Sequence, residues 1–463
     1  NTLTIEDNGI GIEPSKMQSI FERFVRDDES SGGFGIGLHL VKSLCEQLKI
    51  SLRVDSKRDE GSVFVLGFGL RKNKIWYNHQ MNLQNTFSFL HSHAPSFKKS
   101  ELLPRKQNLT LANTLIFKTP QSGITSSLFL FLSAYEKSEY LYIDYSDWLL
   151  GGVGVGDFVN ELGAFLARCA DIKIVVIENA CGAMEVPRKE GVSYLLTLCP
   201  SEQEILHSEH YKGFASVFFF PLDFEEYILF KRSSTGLVFN DFMRESTLPS
   251  IASSDTQPSH LDMQQAITSL IPNATKRQIF TSYLSYQSVG VSVYHLYNLL
   301  RKKTKISKDT FYATTKQLER EMLLFLLPKF AHPKDNRRVY FIDFNLPKAI
   351  KIQTDIKKTV QNALLLELLK HKTYLMLHTP HIYYTDELDF YIPSKHIGIL
   401  TMLFRELDEI KEHIWYIDAM IDAEKEQLEH IYIITIDKEH SGYKQAVNGV
   451  SYQVLTFWEF ASL

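Results

Sequence analysis

Two stretches of the 463-residue sequence hold residue types at spacings that could do chemistry. In the first, Asp7-Asn8-Gly9-Ile10-Gly11 sets a carboxylate just ahead of two glycines. A carboxylate against a purine pocket accepts a hydrogen bond from an exocyclic amine, and glycines let the backbone approach the ring. Gly33-x-Gly35-x-Gly37 then runs into a helical pattern. Glycine-rich backbone at a helix N-terminus turns N–H groups and the positive dipole end toward phosphate. In the second stretch, Leu115-Ile116-Phe117-Lys118-Thr119-Pro120-Gln121-Ser122-Gly123-Ile124-Thr125-Ser126 reads strand, loop, helix in phosphate-loop order. A working loop follows its second glycine with lysine and then Ser or Thr, because the lysine neutralises the β and γ phosphates. Gly123 and Thr125 are in place, but Ile124 stands where the lysine belongs. Downstream, Ile174-Val175-Val176-Ile177-Glu178-Asn179 takes the place of a Mg²⁺-binding acidic strand and ends in Glu-Asn rather than Asp-Glu.

These residues need elements to hold them. Thr2-Leu3-Thr4-Ile5 alternates as a half-buried strand does. Pro14 suits the first turn of a short helix, and residues 38–48 put Leu40, Val41, Leu44 and Leu48 on one helical face. Residues 51–55 and 62–69 read as strands. Residues 73–108 are polar and irregular, and they read as a linker or a fusion seam in which Met81 would start a once-separate gene. From 109 to 200, strand, loop and helix alternate, with strands at 114–117, 140–144, 172–177 and 192–198, and a further strand at 217–220. That rhythm predicts a parallel sheet with helices on its faces. The tract 250–259 should be mobile.

Asp7-Asn8-Gly9-Ile10-Gly11-Ile12, Ile20-Phe21-Glu22-Arg23-Phe24-Val25-Arg26 and Gly33-Phe34-Gly35-Ile36-Gly37-Leu38, in this order, resemble the first glycine box, phenylalanine box and second glycine box of sensor histidine kinases. The resemblance implies a partial Bergerat-type ATP-binding sandwich in which Asp7 contacts adenine, Gly9 and Gly11 shape the pocket, and Gly33, Gly35 and Gly37 form the lid over the phosphates. It implies ATP and Mg²⁺ as cofactors and a response regulator as partner. The family's asparagine box, which holds Mg²⁺, and its acceptor histidine are not in the sequence, and His39 is an ordinary helix residue. The implied function is phosphorylation of a histidine in a two-component phosphorelay, here by an incomplete catalytic fragment.

From about Met81 onward the sequence resembles bacterial and archaeal AAA-type ATPases that end in a winged helix and a restriction-nuclease-like domain. The resemblance is carried by Pro221-Leu222-Asp223-Phe224-Glu225-Glu226-Tyr227, Arg338-Val339-Tyr340-Phe341-Ile342-Asp343, Glu387-Leu388-Asp389-Phe390 and Leu455-Thr456-Phe457-Trp458-Glu459-Phe460. A nuclease core of that kind needs a carboxylate and then Glu-x-Lys on the next strand to hold a metal and orient water. Asp389 and Glu367 are the candidate carboxylates, but the strand 397–404 has neither Glu nor Lys. Both chemistries lack essential groups, so the alternative function is a non-catalytic, AAA-like interaction or scaffold protein. Residues 289–300 and 308–322 read as two helices around a turn, with Arg301-Lys302-Lys303 between them and Lys308, Lys316 and Arg320 on the second. Such charges suit DNA in a major groove, but a solvated basic face is the preferred reading.

Composition is that of a globular chain, 44% hydrophobic and 22% charged, and the net charge of -4 excludes a polycation that coats nucleic acid. The four cysteines are scattered, which excludes a disulfide scaffold or zinc ribbon and suits a cytoplasmic chain. No apolar run is long enough to span a membrane. The sequence opens on Asn1 inside a strand pattern and is expected to continue something longer. The expected fold class is α/β throughout. Residues 1–72 are a partial histidine-kinase-like domain and 73–108 the seam. Residues 109–275 are a degenerate P-loop-like parallel sheet, 276–345 a winged helix and 346–463 an inactive nuclease-like domain.

Overall fold

The computed structural model describes residues 2–7, 9–13, 20, 38, 41–42, 45, 51–58, 61–67, 82–93, 102, 104–231, 235–254, 256–334, 336–351, 353, 355–370, 382–421 and 428–463. They belong to two compact units, Asn1–Asn82 and Leu83–Leu463.

The first unit contains an antiparallel sheet of β1 (Thr2–Asp7), β2 (Ser51–Lys57) and β3 (Gly61–Gly67) in the order β1-β3-β2. Gly61, with φ of 97°, makes the left-handed step that closes the β2–β3 hairpin. β1 pairs with β3 from Thr2↔Gly67 to Asp7↔Ser62. This register brings Asp7 to the hairpin end of the sheet. There Ser56 Oγ accepts from Ile12 N at 2.8 Å and donates to Gly61 O at 2.9 Å, tying the loop after Asp7 to the hairpin.

The second unit begins with α1 (Leu83–Ser92), inside the stretch expected to be an irregular linker. Phe87 is fully buried against Phe158 and Phe165, with ring centroids 5.5 and 5.7 Å away, so this piece is part of a core. The parallel sheet follows: β4 (Thr114–Lys118), β5 (Tyr140–Asp144), β6 (Ile174–Glu178), β7 (Ser193–Leu198) and β8 (Ala215–Phe219), in the order β5-β6-β7-β4-β8 with every pairing parallel. β6 is buried along its whole length, as the Ile-Val-Val-Ile run requires of a strand covered on both faces. α2 (Ile124–Leu132) covers one face with Ile124, Leu128 and Leu132. α3 (Val155–Arg168) covers the other with Phe158, Leu162, Phe165 and Leu166.

Helices α4 (Phe224–Lys231), α5 (Thr235–Arg244) and α6 (Pro249–Ala252) come next. Part of the tract expected to be mobile is therefore helical, with Pro249 at its first turn. α7 (His260–Leu270), α8 (Ala274–Tyr283), α9 (Val293–Arg301) and α10 (Lys308–Arg320) pack with a small antiparallel sheet. That sheet is formed by β9 (Gly290–Val291), β10 (Leu324–Leu327) and β11 (Arg337–Phe341) in the order β10-β11-β9. The C-terminal part has α11 (Ile356–Lys370), β12 (Phe390–Ile392), β13 (Ile397–Thr401), α12 (Leu407–Met420), β14 (His430–Thr435), β15 (Lys444–Val447), β16 (Val450–Thr456) and α13 (Phe457–Ala461). Its sheet is mixed, in the order β12-β13-β14-β16-β15.

Candidate functional site

In the first unit, Asp7 ends β1 exposed, and its Oδ1 accepts from Gly9 N at 2.8 Å. A Cβ on Gly9 would come 2.8 Å from that same oxygen, so a side chain there would have to push the carboxylate aside. Gly11 sits at φ 65°. Asp7, Gly9 and Gly11 thus share one turn, oriented by its own backbone. Gly33, Gly35 and Gly37, with Phe21 to Arg26 and His39, lie outside the described residues.

In the second unit, the strand–loop–helix order puts Lys118, Gly123, Ile124 and Thr125 around a cavity of about 380 Å³. Gly123, at φ 80°, is the N-cap of α2 and contributes no side-chain cap. The Ile124 side chain is buried against the sheet core and brings no charge to the cavity. Glu178 is fully engaged: its Oε1 accepts from Lys118 Nζ at 2.8 Å and Thr125 Oγ1 at 2.6 Å, and its Oε2 from Tyr142 OH at 2.7 Å. Burial and the adjacent Glu178 carboxylate push the Tyr142 phenol up, so it remains a donor. Asn179, at φ 56°, turns its amide to Asp144 Oδ1 at 2.8 Å.

The loop is held from behind by Arg105, a residue inside the expected seam. Its guanidinium forms a bidentate pair with Glu226, at 2.8 Å on each oxygen, and donates to Ser122 O at 2.5 Å and Phe220 O at 2.9 Å. Burial pushes the Glu226 carboxyl up, but the hydrogen bonds and charge of Arg105 more than reverse this and hold it low. Pro249 of α6 closes the other side of the loop, 3.1 Å from where a Gly123 Cβ would stand.

In the C-terminal part, Asp389 is buried. Its Oδ2 accepts from Thr401 N at 2.8 Å and Thr401 Oγ1 at 2.6 Å, and its Oδ1 from Gln361 Nε2 at 2.7 Å and Arg338 Nη1 at 3.2 Å. Glu367, the second candidate carboxylate, is not in this group. It lies six residues further along α11 and accepts from Phe224 N at 2.9 Å. Gln361, not Glu367, is the α11 side chain that meets Asp389, and Thr401 meets it from the end of β13. Among the described residues, no group of three or more His, Cys, Asp or Glu side chains is placed to hold a metal.

The basic residues of α10 are exposed. The Lys308 ammonium lies 5.6 and 5.7 Å from the Tyr294 and Tyr312 ring centroids, and Lys316 and Arg320 face solvent. No helix among the described residues is long and apolar enough to cross a membrane.

Sequence reasoning passed over Lys118, Arg105, Tyr142, Gln361 and Thr401. Only Lys118 left a local signal, as the residue where the phosphate-loop pattern has its first glycine. The others act across separations of 12 to 121 residues, which spacing cannot show.

The family model for histidine kinase-, DNA gyrase B-, and HSP90-like ATPases matches residues 1–72. The autoinducer 2 sensor kinase/phosphatase LuxQ of Vibrio vulnificus is 42% identical over 77 residues, 16% of this chain and 9% of that protein. Sensor protein CiaH of Streptococcus pneumoniae is 39% identical over 66 residues, 13% of this chain and 15% of its own. The chain thus spans about a tenth to a seventh of the length of these relatives. Among solved structures, the Walker-type ATPase paby2304 of Pyrococcus abyssi shares 12% identity over 62% of this chain and 97% of its own, at a TM-score of 0.33. At that score the likeness carries no weight beside the strand order itself. Over residues 1–72, therefore, the chain is similar to the histidine kinase-, DNA gyrase B-, and HSP90-like ATPases and to sensor kinases.

Proposed function

We propose that residues 1–72 are the later part of the ATP-binding domain of a sensor histidine kinase, acting in a two-component phosphorelay with a response regulator as partner. The carrying observation is the family match over those residues, together with the glycine turn that holds Asp7. In this reading Asp7 accepts from the adenine amine. One of its oxygens is oriented by Gly9 N, and a carboxylate has lone pairs for further donors. Gly9 and Gly11 keep side chains away from the ring, and Gly33, Gly35 and Gly37 form the phosphate lid. ATP titration of the full chain tests this. Micromolar binding that weakens at least tenfold in Asp7→Asn is expected; no binding, or binding indifferent to that change, overturns it.

A second reading applies to residues 83–463 and is favoured by the three donors that Glu178 accepts within the chain and by the buried Ile124 in place of the loop lysine. There the chain is a degenerate AAA-like module with a winged helix and an inactive nuclease-like end, serving interaction rather than hydrolysis. Mg²⁺-dependent ATP hydrolysis abolished by Glu178→Gln would sink it.

A further inference from the structure

We propose that the turn after β5 and the basic face of α9 and α10 are the two halves of a head-to-tail contact between copies of this chain, with Trp148 of one copy seated against Lys308, Tyr294 and Tyr312 of the next. The proposal names the partner for the interaction reading of residues 83–463 and rests on that reading.

Trp148 is 97% exposed, and Leu149 beside it is also exposed. The turn that carries them is built, not loose. Trp148–Leu150 is a 3₁₀ turn in which Asp147 Oδ1 accepts from Leu149 N at 2.9 Å and Asp147 O accepts from Leu150 N at 2.9 Å. Leu150 is buried and anchors the turn in the core of the parallel sheet. A scattered apolar side chain on a surface needs no partner. An indole held clear of the fold is different, because it leaves a large apolar area in water, and tryptophan is among the residues that anchor protein interfaces. The surroundings are acidic. From 138 to 167 the chain has no lysine or arginine, while Asp144 ends β5, Asp147 caps the turn and Asp157 lies in the first turn of α3.

The second half carries the opposite charge. Arg301, Lys302, Lys303, Lys305 and Lys308 follow one another with no acidic residue from 301 to 308. Among the described residues, none of these cations is in an ion pair. The Lys308 ammonium lies 5.6 Å from the Tyr294 ring centroid and 5.7 Å from that of Tyr312, and both rings are exposed. Two tyrosine faces make an incomplete cage around the ammonium. An indole, the strongest aromatic partner for a cation, supplies a further wall. The acids around Trp148 complement the cations around Lys308, which steers the encounter and sets its direction. Both halves are exposed within one chain, so neither covers the other there, and a second copy carries the complement of each. The two surfaces differ, so the contact is heterologous and leaves one half of each copy open to a further copy.

Sedimentation velocity of the full chain across about a hundredfold range of concentration tests this. Association that grows with concentration is expected; a monomer throughout overturns the proposal. Trp148→Ser and Lys308→Glu change exposed side chains, and an acid at the first position of α10 suits the helix dipole, so both variants are expected to keep the urea midpoint. Each is expected to weaken self-association at least tenfold, as loss of an interface anchor does. Association indifferent to either change overturns the proposal. Mixing the two variants separates a head-to-tail contact from any other. The Trp148→Ser chain keeps its basic face and the Lys308→Glu chain keeps its tryptophan, so the mixture is expected to form a dimer that grows no further. A mixture no more associated than either variant alone overturns the contact. Duplex DNA bound through Lys308 by a chain that stays monomeric assigns the basic face to nucleic acid and likewise overturns it. Mg²⁺-dependent ATP hydrolysis lost in Glu178→Gln would sink the interaction reading and leave the sedimentation result standing, so the two failures are distinct.

Discussion

Glu178 shows how single side chains decide what a loop can do. A strand buried on both faces delivers its carboxylate to the cleft, and three donors then take up both oxygens. Asp389 is held in a similar way by Thr401, Gln361 and Arg338. Glu367 has a different consequence. It is half-buried, accepts from Phe224 N, and faces Asp223, Lys106 and Lys370. Burial, followed by the Asp223 charge, raises its carboxyl to about 8. The folded chain thus holds a proton that the unfolded chain releases near the ordinary glutamate value of about 4.3. Stability from this group therefore falls as pH rises from there to about 8 and is flat above. Glu367→Gln, neutral at every pH, should narrow the difference in urea midpoint between pH 5 and pH 8. An unchanged difference would refute the assignment.

At the scale of elements, α1 was hidden in the sequence because its apolar residues are few and its flanks polar; Phe87 makes it part of the sheet's core. Phe87→Ala should cost about 3–5 kcal/mol in urea unfolding, as large aromatic truncations in a packed core do. A cost under about 1 kcal/mol, the range of ordinary surface substitutions or little more, would return residues 83–92 to the status of linker. The strands of the parallel sheet were legible because continuous β-branched runs such as Ile174 to Ile177 leave little else for the backbone to do. β13 was harder to bound. It ends at Thr401, where Asp389 captures both the backbone N–H and the hydroxyl.

At the scale of the molecule, residues 222–463 share a core that crosses the boundaries drawn from sequence. Phe224 and Phe242 of the helices after the parallel sheet stack edgewise or tilted on Phe457 near the C-terminus, with centroids 5.6 and 6.0 Å apart, and Phe242 also meets Phe344 at 5.0 Å. Because this core belongs wholly to the second unit, residues 83–463 produced alone should unfold at the same urea midpoint as the main transition of the full chain. A clear downward shift would show that the first unit stabilises the second.

The sequence by itself determined the two glycine-rich stretches with the phenylalanine-rich stretch between them, the phosphate-loop order without its lysine, and the alternation that makes a parallel sheet. Each is a local pattern, read within one strand, turn or helix. Only the tertiary structure decided that Lys118 reaches Glu178, that Arg105 grips the loop from the supposed seam, and that Gln361 rather than Glu367 meets Asp389. Those pairings join residues 17 to 60 positions apart. They depend on how neighbouring strands and helices are placed in space, which the spacing of residues along the chain does not carry.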